Sequence, residues 1–493
     1  MNHPVFHLFL SLRSVGSKGL VLGCFLVLLA FTGTGCVSHR GQSNAMERAW
    51  VRGEVDRAAN LAATIAERQA GGRDEVLWYL QAGRTLQAAG DFAASREAFA
   101  EAEARARDWD DRMGALAARE VAAALTNLQS LPYRATPADR VMLQTYQALN
   151  FLHEGEIAEA RVILNRLQNQ QQEIQRHNAR RIDEERERIR TEATQVEKSR
   201  DSRPFDPSRA ASDERFQRQL DRAYRPLQEM EAYADFLNPA ALYLEALFFL
   251  HRPQIPADLE RARFALRRVR GMVPGHPVLE ADAETLAGIL RGEEREPLVY
   301  VLLETGLAPE KREVRLDFPL YLFTDEVPYV GAAFPQLHFR MNYDRTLRVR
   351  GDGQEVETAL LADMDRIIGT EFERELPLII AKTLASSGIK AAAVYTLRRA
   401  VRSESETMAG LVNLFGLLYQ YSMNRADLRS WTTLPKQWQI ARMARPADGV
   451  LELIRPEANK TWKLDLPDGV VILVHIQLPS RQASPIINSI ILR

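Results

Sequence analysis

Few residues in this sequence are of types and spacings that do chemistry. Its nine histidines are scattered, and none is spaced to gather metal ligands. His338 and His475 fall in strand-like segments, where a histidine is more often a core or edge residue than a catalytic base. Asp363 and Asp365 form a carboxylate pair, but on a charged helical stretch such pairs are ordinary. No Gly-x-Ser-x-Gly elbow, phosphate-cradling loop ending in Lys, His-Glu-x-x-His pair or calcium-loop pattern occurs. The two cysteines are Cys24 and Cys36, so nothing beyond Cys36 can form an internal disulfide or a thiolate metal site. The expectation is a protein without cofactor, metal or catalytic site, unless groups distant in sequence converge in three dimensions.

Cys36 sits where a thiol can be modified. Arg13 and Lys18 precede an uncharged apolar run from Gly19 to Phe31, and small residues follow it. A positive segment, a short apolar segment and small residues before a cleavage point describe a secretory signal. The run is short for a membrane span, which needs about 20 residues. Thr32-Gly33-Thr34-Gly35-Cys36 resembles the lipobox at which bacterial lipoproteins are lipidated and cleaved, with Gly33 where that motif usually has Leu. Cys24 is the competing acceptor, but it leaves too little apolar chain after Lys18. Val37, in place of Asp, resembles the outer-membrane sorting pattern. Acyl chains contribute about 0.8 kcal/mol per buried CH₂, so several of them hold a protein durably on a membrane. The bland alternative is an ordinary export signal that happens to end in a cysteine.

The elements that follow must fold into more than one unit, because 493 residues exceed a single core. The formal net charge is -1, which gives no field for nucleic acid. The expected organisation is a signal peptide over 1–35, a linker over 36–43, a helical domain over 44–293 and an α+β domain over 294–493.

In the helical part, Trp78-Tyr79 leads into Gly83, Leu86, Gly90, Phe92, Ser95, Phe99 and Ala102. This resembles the tetratricopeptide repeat, in which small residues let two antiparallel helices approach and large ones fill the groove. The resemblance places Gly90 in the turn and Phe92 and Phe99 under the second helix. A second copy reads Ala148, Phe151, Gly155, Ile157, Ala160 and Leu164, and a weaker one Gly53, Val55 and Ala58. The interval from Gly53 to Gly90 is near the repeat length of about 34, and that from Gly90 to Gly155 near twice it. An intervening pair would come from Arg112 to Leu128. A fourth is suggested by Tyr243, Ala246, Leu247 and Leu250, then Leu259, Ala262 and Leu266, closing near Pro274. The alternative is an irregular helical bundle. Residues 168–230 are polar on nearly every face, as in Arg180 to Arg190, and are broken by Asp201 to Pro207. They read as a charged helical hairpin projecting from the array, either a reaching arm or a solvated insertion.

From Pro297 the period changes to alternation. Strands are expected over Pro297–Leu303, Phe334–Tyr343, Thr346–Arg350, Trp438–Met443, Val450–Ile454, Thr461–Leu466, Val470–Leu478 and Ile486–Leu492. Arg350-Gly351-Asp352-Gly353 is hairpin-turn chemistry rather than an integrin ligand. Helices are expected over Val356–Arg402, with a kink or break at Pro377, and over Ser405–Met423. Ala391 to Ala393, Gly410 and Gly416 would let these two pack as a helical pair against the sheet, with a membrane-inserting hairpin as the lesser alternative.

The segment from Ala426 through Asp427, Arg429, Trp431 and Pro435, followed by Gln439 to Arg442, resembles a family of uncharacterised bacterial lipoproteins with tetratricopeptide-like N-terminal halves. Members are often encoded beside lipoprotein activators of penicillin-binding proteins, so the resemblance implies a setting in peptidoglycan assembly. Physically, Asp427 and Arg429 can pair with each other or cap a preceding helix, while Trp431 packs into the core.

The function expected from these features is a scaffold held in the outer membrane by lipid on Cys36, facing the periplasm. It would bind a periplasmic or outer-membrane protein. The alternative is a carrier of lipid, glycan or exported polysaccharide, with an apolar pocket in residues 294–493. Cys36→Ala is expected to move the protein from the membrane to the soluble fraction; unchanged sedimentation with membranes contradicts the anchor.

Overall fold

The computed structural model describes residues 39–124, 131–198, 207–233, 237–320, 329–402 and 425–493. Of the sequence expectations, the signal segment, Cys24, Cys36, residues 125–128 of the intervening pair and the helix over Ser405–Met423 lie outside them. Helices come first: α1 (His39–Arg52), α2 (Val55–Arg68), α3 (Glu75–Ala88), α4 (Phe92–Ala124), α5 (Pro137–His153) and α6 (Ile157–Lys198). They continue as α7 (Pro207–Ala211), α8 (Glu214–Gln228), α9 (Pro239–His251), α10 (Pro256–Met272) and α11 (Pro277–Leu290). The α+β part then runs β1 (Leu298–Thr305), β2 (Glu310–Pro319), β3 (Tyr329–His338), β4 (Arg348–Gly351), β5 (Gln354–Glu357) and β6 (Ala359–Asp363). It ends with α12 (Met364–Arg402), β7 (Gln437–Ala444), β8 (Val450–Arg455), β9 (Lys460–Asp465), β10 (Val471–Leu478) and β11 (Ile486–Ile491).

Local chemistry sets the helix ends. At α5 the Thr136 hydroxyl accepts from the Asp139 amide while the Asp139 carboxylate accepts from the Thr136 amide, with Pro137 in the first turn. α3 and α5 both stop at a glycine with positive φ, Gly90 (+83°) and Gly155 (+76°). The next amides reach back a full turn, Asp91 to the Leu86 carbonyl (3.0 Å) and Glu156 to the Phe151 carbonyl (2.8 Å). This is the left-handed cap for which glycine is favoured. Between α3 and α4 the helices nearly touch. A Cβ built on Gly83 would lie 2.6 Å from the fully buried Phe99 ring.

The main sheet has the order β11-β10-β1-β7-β6, with β1 and β10 parallel and the remaining pairs antiparallel. Every residue of β1 and β10 is buried. On one face Leu298, Tyr300, Leu302, Val471 and Leu473 share a core with α3 to α6 and α9 to α11. On the other, Val299, Val301, Ile472, Val474 and Ile476 meet the second sheet, ordered β5-β4-β8-β9. The switch to strands near 294 is therefore a change of secondary structure that the core crosses, and residues 45–493 form one compact unit.

The structure differs from the sequence reading in several places. Val356 does not begin a helix. β5 and β6 occupy residues 354–363, because β6 can pair with β7 and bury Leu361 and Ala362, and α12 starts only at Met364. Pro377 lies inside α12 without ending it. β2 escapes the alternation pattern because Arg312, Glu313 and Arg315 are exposed in a two-stranded ribbon with β3, which itself starts and ends earlier than expected. The charged hairpin does not project freely. α8 buries Phe216, Leu220, Tyr224 and Leu227 against Phe318 and Phe334 of that ribbon and against Phe372 of α12. α6 lies along α12, tied by Arg181–Glu375 and Lys382–Glu185 ion pairs.

Gly83→Ala should destabilise the fold by about 1–3 kcal/mol, since the new methyl group overpacks against a ring with nowhere to go. Urea unfolding checks this. A change within error would show that α3 and α4 are not held at that separation.

Candidate functional site

Two polar clusters join distant parts of the chain, and a third arrangement opens to solvent. The first is buried between α3, α5 and the main sheet. Glu304 on β1 accepts from Arg84 Nη2 (2.6 Å), Tyr146 Oη (2.8 Å) and His475 Nε2 (2.6 Å). Arg84 also donates to Gln477 Oε1 (2.8 Å), and its guanidinium lies 4.6 Å from the Tyr146 ring centre. Burial raises the Glu304 pKa, but Arg84 first and then His475 bring it below the usual carboxylate value. His475 Nδ1 pairs with His153 Nε2 at 3.2 Å, and His153 stacks on Phe92 with ring centres 4.5 Å apart. Burial, followed by His475, holds the His153 pKa well below its ordinary value.

The second cluster contains the motif residues. Arg429 donates to both carboxylate oxygens of Asp427 (2.8 and 2.6 Å), to Asp74 Oδ1 (2.7 Å) and to the Leu131 carbonyl (2.8 Å). It thereby ties the segment before β7 to the start of α3. Trp431 is buried and donates its indole N–H to Thr433 Oγ1 (2.9 Å); Pro435 is buried beside it. Phe99, Tyr146 and Trp431 form a ring cluster with centres about 6 Å apart. Arg429 and Trp431 are enclosed while Asp427 is partly exposed, and their arrangement is that of a structural clasp.

The open site is a cleft of about 460 Å³ in the helical part, walled by α4 and α6 and floored by α3 and α5. Val76, Leu80 and Leu143 supply its apolar floor, with Ala106 at the foot of the α4 wall. Its rim is charged: Asp110 accepts from Arg134 (3.1 Å) and lies 2.7 Å from Arg140, and Arg107 pairs with Glu103. Arg134 also reaches Glu185 (3.4 Å). Burial raises Glu185, yet Lys382 and Arg181 bring it down to about 2, so it is a fixed negative charge behind the rim. Arg166 and His177 on α6 line the cleft without an ion-pair partner among the described residues. An apolar floor with a rim of both signs suits a polypeptide surface better than a small apolar ligand.

Of the residues singled out from sequence, Gly83, Phe99 and the buried Ala148 build the wall of helices behind this cleft, and Gly90 and Gly155 set the turns. Phe92 is only half-buried, against His153 rather than under the second helix. Asp427, Arg429, Trp431 and Pro435 come together away from the cleft. The sequence reading missed Arg84, Glu304, Tyr146 and His153. A signal was present, since Arg84 is the one charge after Glu75 in the segment of α3 and Glu304 is the one charge in β1.

Comparison with protein-family models, with curated proteins and with solved structures finds no match.

Glu371 on α12, fully enclosed near Asp139 and Glu375 and touched by Gln175 Nε2 at 3.4 Å, is pushed up to about 8, chiefly by burial. Its folded pKa lies above the unfolded value of 4.5, so the native state binds the extra proton and stability falls as pH rises from about 4.5 to 8. Glu371→Gln should remove this slope, worth up to about 1.4 kcal/mol per pH unit. Thermal unfolding of both proteins at pH 6 and pH 8.5 checks it: the variant should lose less stability, and parallel losses would contradict the assignment.

Proposed function

We propose that this protein is a lipid-anchored adaptor of the bacterial envelope, exported by its first 35 residues and held in the outer membrane through Cys36. Its helix pairs act as a tetratricopeptide-like array that grips another envelope protein. The observation that carries the reading is the cleft between α4 and α6, with its apolar floor and its rim of Arg107, Arg134, Arg140 and Arg166 set among Glu103, Asp110 and Glu173. Helical arrays use such concavities to hold other proteins. Support for the array comes from the α3/α4 and α5/α6 pairs, each joined through a positive-φ glycine, and from the close approach at Gly83. A peptidoglycan-assembly setting rests on the resemblance carried by Asp427 to Pro435. The rival carrier reading calls for an apolar cavity within residues 294–493, whereas the 460 Å³ cleft lies in the helical part.

The test is photo-crosslinking in living cells from His177 in the cleft and, as control, from Lys463 on β9. His177 should capture an exported envelope protein that Lys463 does not, and Arg107→Glu with Arg166→Glu should reduce that capture at least tenfold without lowering the melting temperature. Equal capture from both positions, or capture that ignores the charge reversals, overturns the reading.

A further inference from the structure

β11 is an edge strand of the main sheet; α5 packs against it, but it lacks the charges and prolines that the chain gives its other edges. β5 carries Glu355 and Glu357; β9 carries Lys460, Lys463 and Asp465; β6 ends in Asp363; β2 is heavily charged and β3 contains Pro335. Charges and prolines of this kind keep sheet edges from pairing with other chains. β11 reads Ile486-Ile487-Asn488-Ser489-Ile490-Ile491, with no charge and no proline.

The hydrogen-bond register shows which of its backbone groups face away from the sheet and have no strand partner among the described residues. Val471 exchanges bonds with the end of β11: the Leu492 and Arg493 amides donate to the Val471 carbonyl, and the Val471 amide donates to the Arg493 carbonyl. Odd-numbered residues of β10 thus face β11, while the carbonyls of Val470 and Leu478 face the other way, accepting from Leu298 and Gly306. With Leu473 opposite Ile490 and His475 opposite Asn488, the N–H and C=O groups of Ile487, Ser489 and Ile491 must point away from the sheet. Arg252 donates to the Ile491 carbonyl (3.2 Å), as that direction requires. A carbonyl has a second lone pair, so this bond does not close the edge. Ile491 is 43% exposed.

We propose that β11 pairs antiparallel with β11 of a second copy of this chain, joining the two main sheets across a two-fold axis at Ser489. Only residues whose backbone groups face outward in both copies can exchange bonds. Centring the axis on Ser489 uses all three outward positions. Ser489 then meets Ser489 of the second copy, and Ile487 meets the second copy's Ile491 on both sides of the axis. The contact is isologous and closes at two chains. A strand without charge meets itself without like-charge repulsion, which β5 with Glu355 and Glu357 could not do.

The register makes the test specific. Opposed residues in a hydrogen-bonded pair have Cα atoms about 5.5 Å apart, within disulfide range. Under mild oxidation of the full chain in cells, Ser489→Cys should form a disulfide-linked dimer. Ile487→Cys alone should not, and Ile487→Cys combined with Ile491→Cys should. In light scattering of the full chain in detergent, the protein mass should be that of two chains, and Ser489→Pro should halve it. That proline deletes only an outward donor, so the circular dichroism should be unchanged; if the variant fails to fold, Ser489→Lys makes the same test. A single-chain mass for the unmodified protein at all concentrations, or equal crosslinking of Ser489→Cys and Ile487→Cys, overturns the proposal.

Discussion

A guanidinium and a carboxylate cost several kcal/mol each to take out of water, and the cost is offset only when their remaining hydrogen-bonding positions are filled. In this protein the Arg84–Glu304 pair is fully enclosed, and four elements supply the hydrogen bonds that fill its positions, Arg84 Nε excepted among the described residues. Arg84 comes from α3, Tyr146 from α5, Glu304 from β1 and His475 from β10. If the helices sat in another position on the sheet, a buried charge would lose its partners. Hydrophobic burial brings the layers together without direction; the ion pair and its satellites specify how they meet. The Arg429–Asp74–Asp427 clasp and the bond from Arg455 to Asp344 (2.7 Å) repeat the device at other joins.

This constraint bears on the cleft as well. The helices that floor and wall it, α3 to α6, are seated on the same sheet face, so its shape is held by the core behind it. α6 leaves that core at about residue 175 and is held along α12 by the Gln175–Glu371 hydrogen bond and two charge pairs, with Ile182 a buried apolar residue in that stretch. That explains how a helix as polar as Arg180 to Arg190 persists: a partner helix supplies opposite charges at the spacing of its turns.

Much of the order of elements was legible in the sequence, for local reasons. Positive-φ glycines punctuate α3 and α5, the uncharged run from Val470 to Val474 announces a strand buried on both faces, and Asp352-Gly353 turns the β4–β5 hairpin at φ values of +48° and +75°. What could not be read depends on partners far away in the chain. β6 is a strand because β7 lies beside it, and β2 because β3 does. α8 looks like half of a solvated hairpin until Phe318 and Phe334 are placed under Phe216. The site was legible only in part. Gly83 and Phe99, which set the helices behind it, stand out by type and spacing, whereas Arg107, Arg134, Arg140 and Asp110 are ordinary charges in a charge-rich stretch until the fold brings them to one rim.

The central claim is that the buried ion pair joins helices and sheet into one cooperative unit. Hydrogen exchange read by mass spectrometry, comparing the unmodified protein with Arg84→Met, tests it most directly. The account predicts that amides of α3, α5, β1 and β10 exchange together in the unmodified protein and accelerate together, by about a hundredfold or more, in the variant. Acceleration confined to α3, or helices and sheet that already open independently in the unmodified protein, would contradict it.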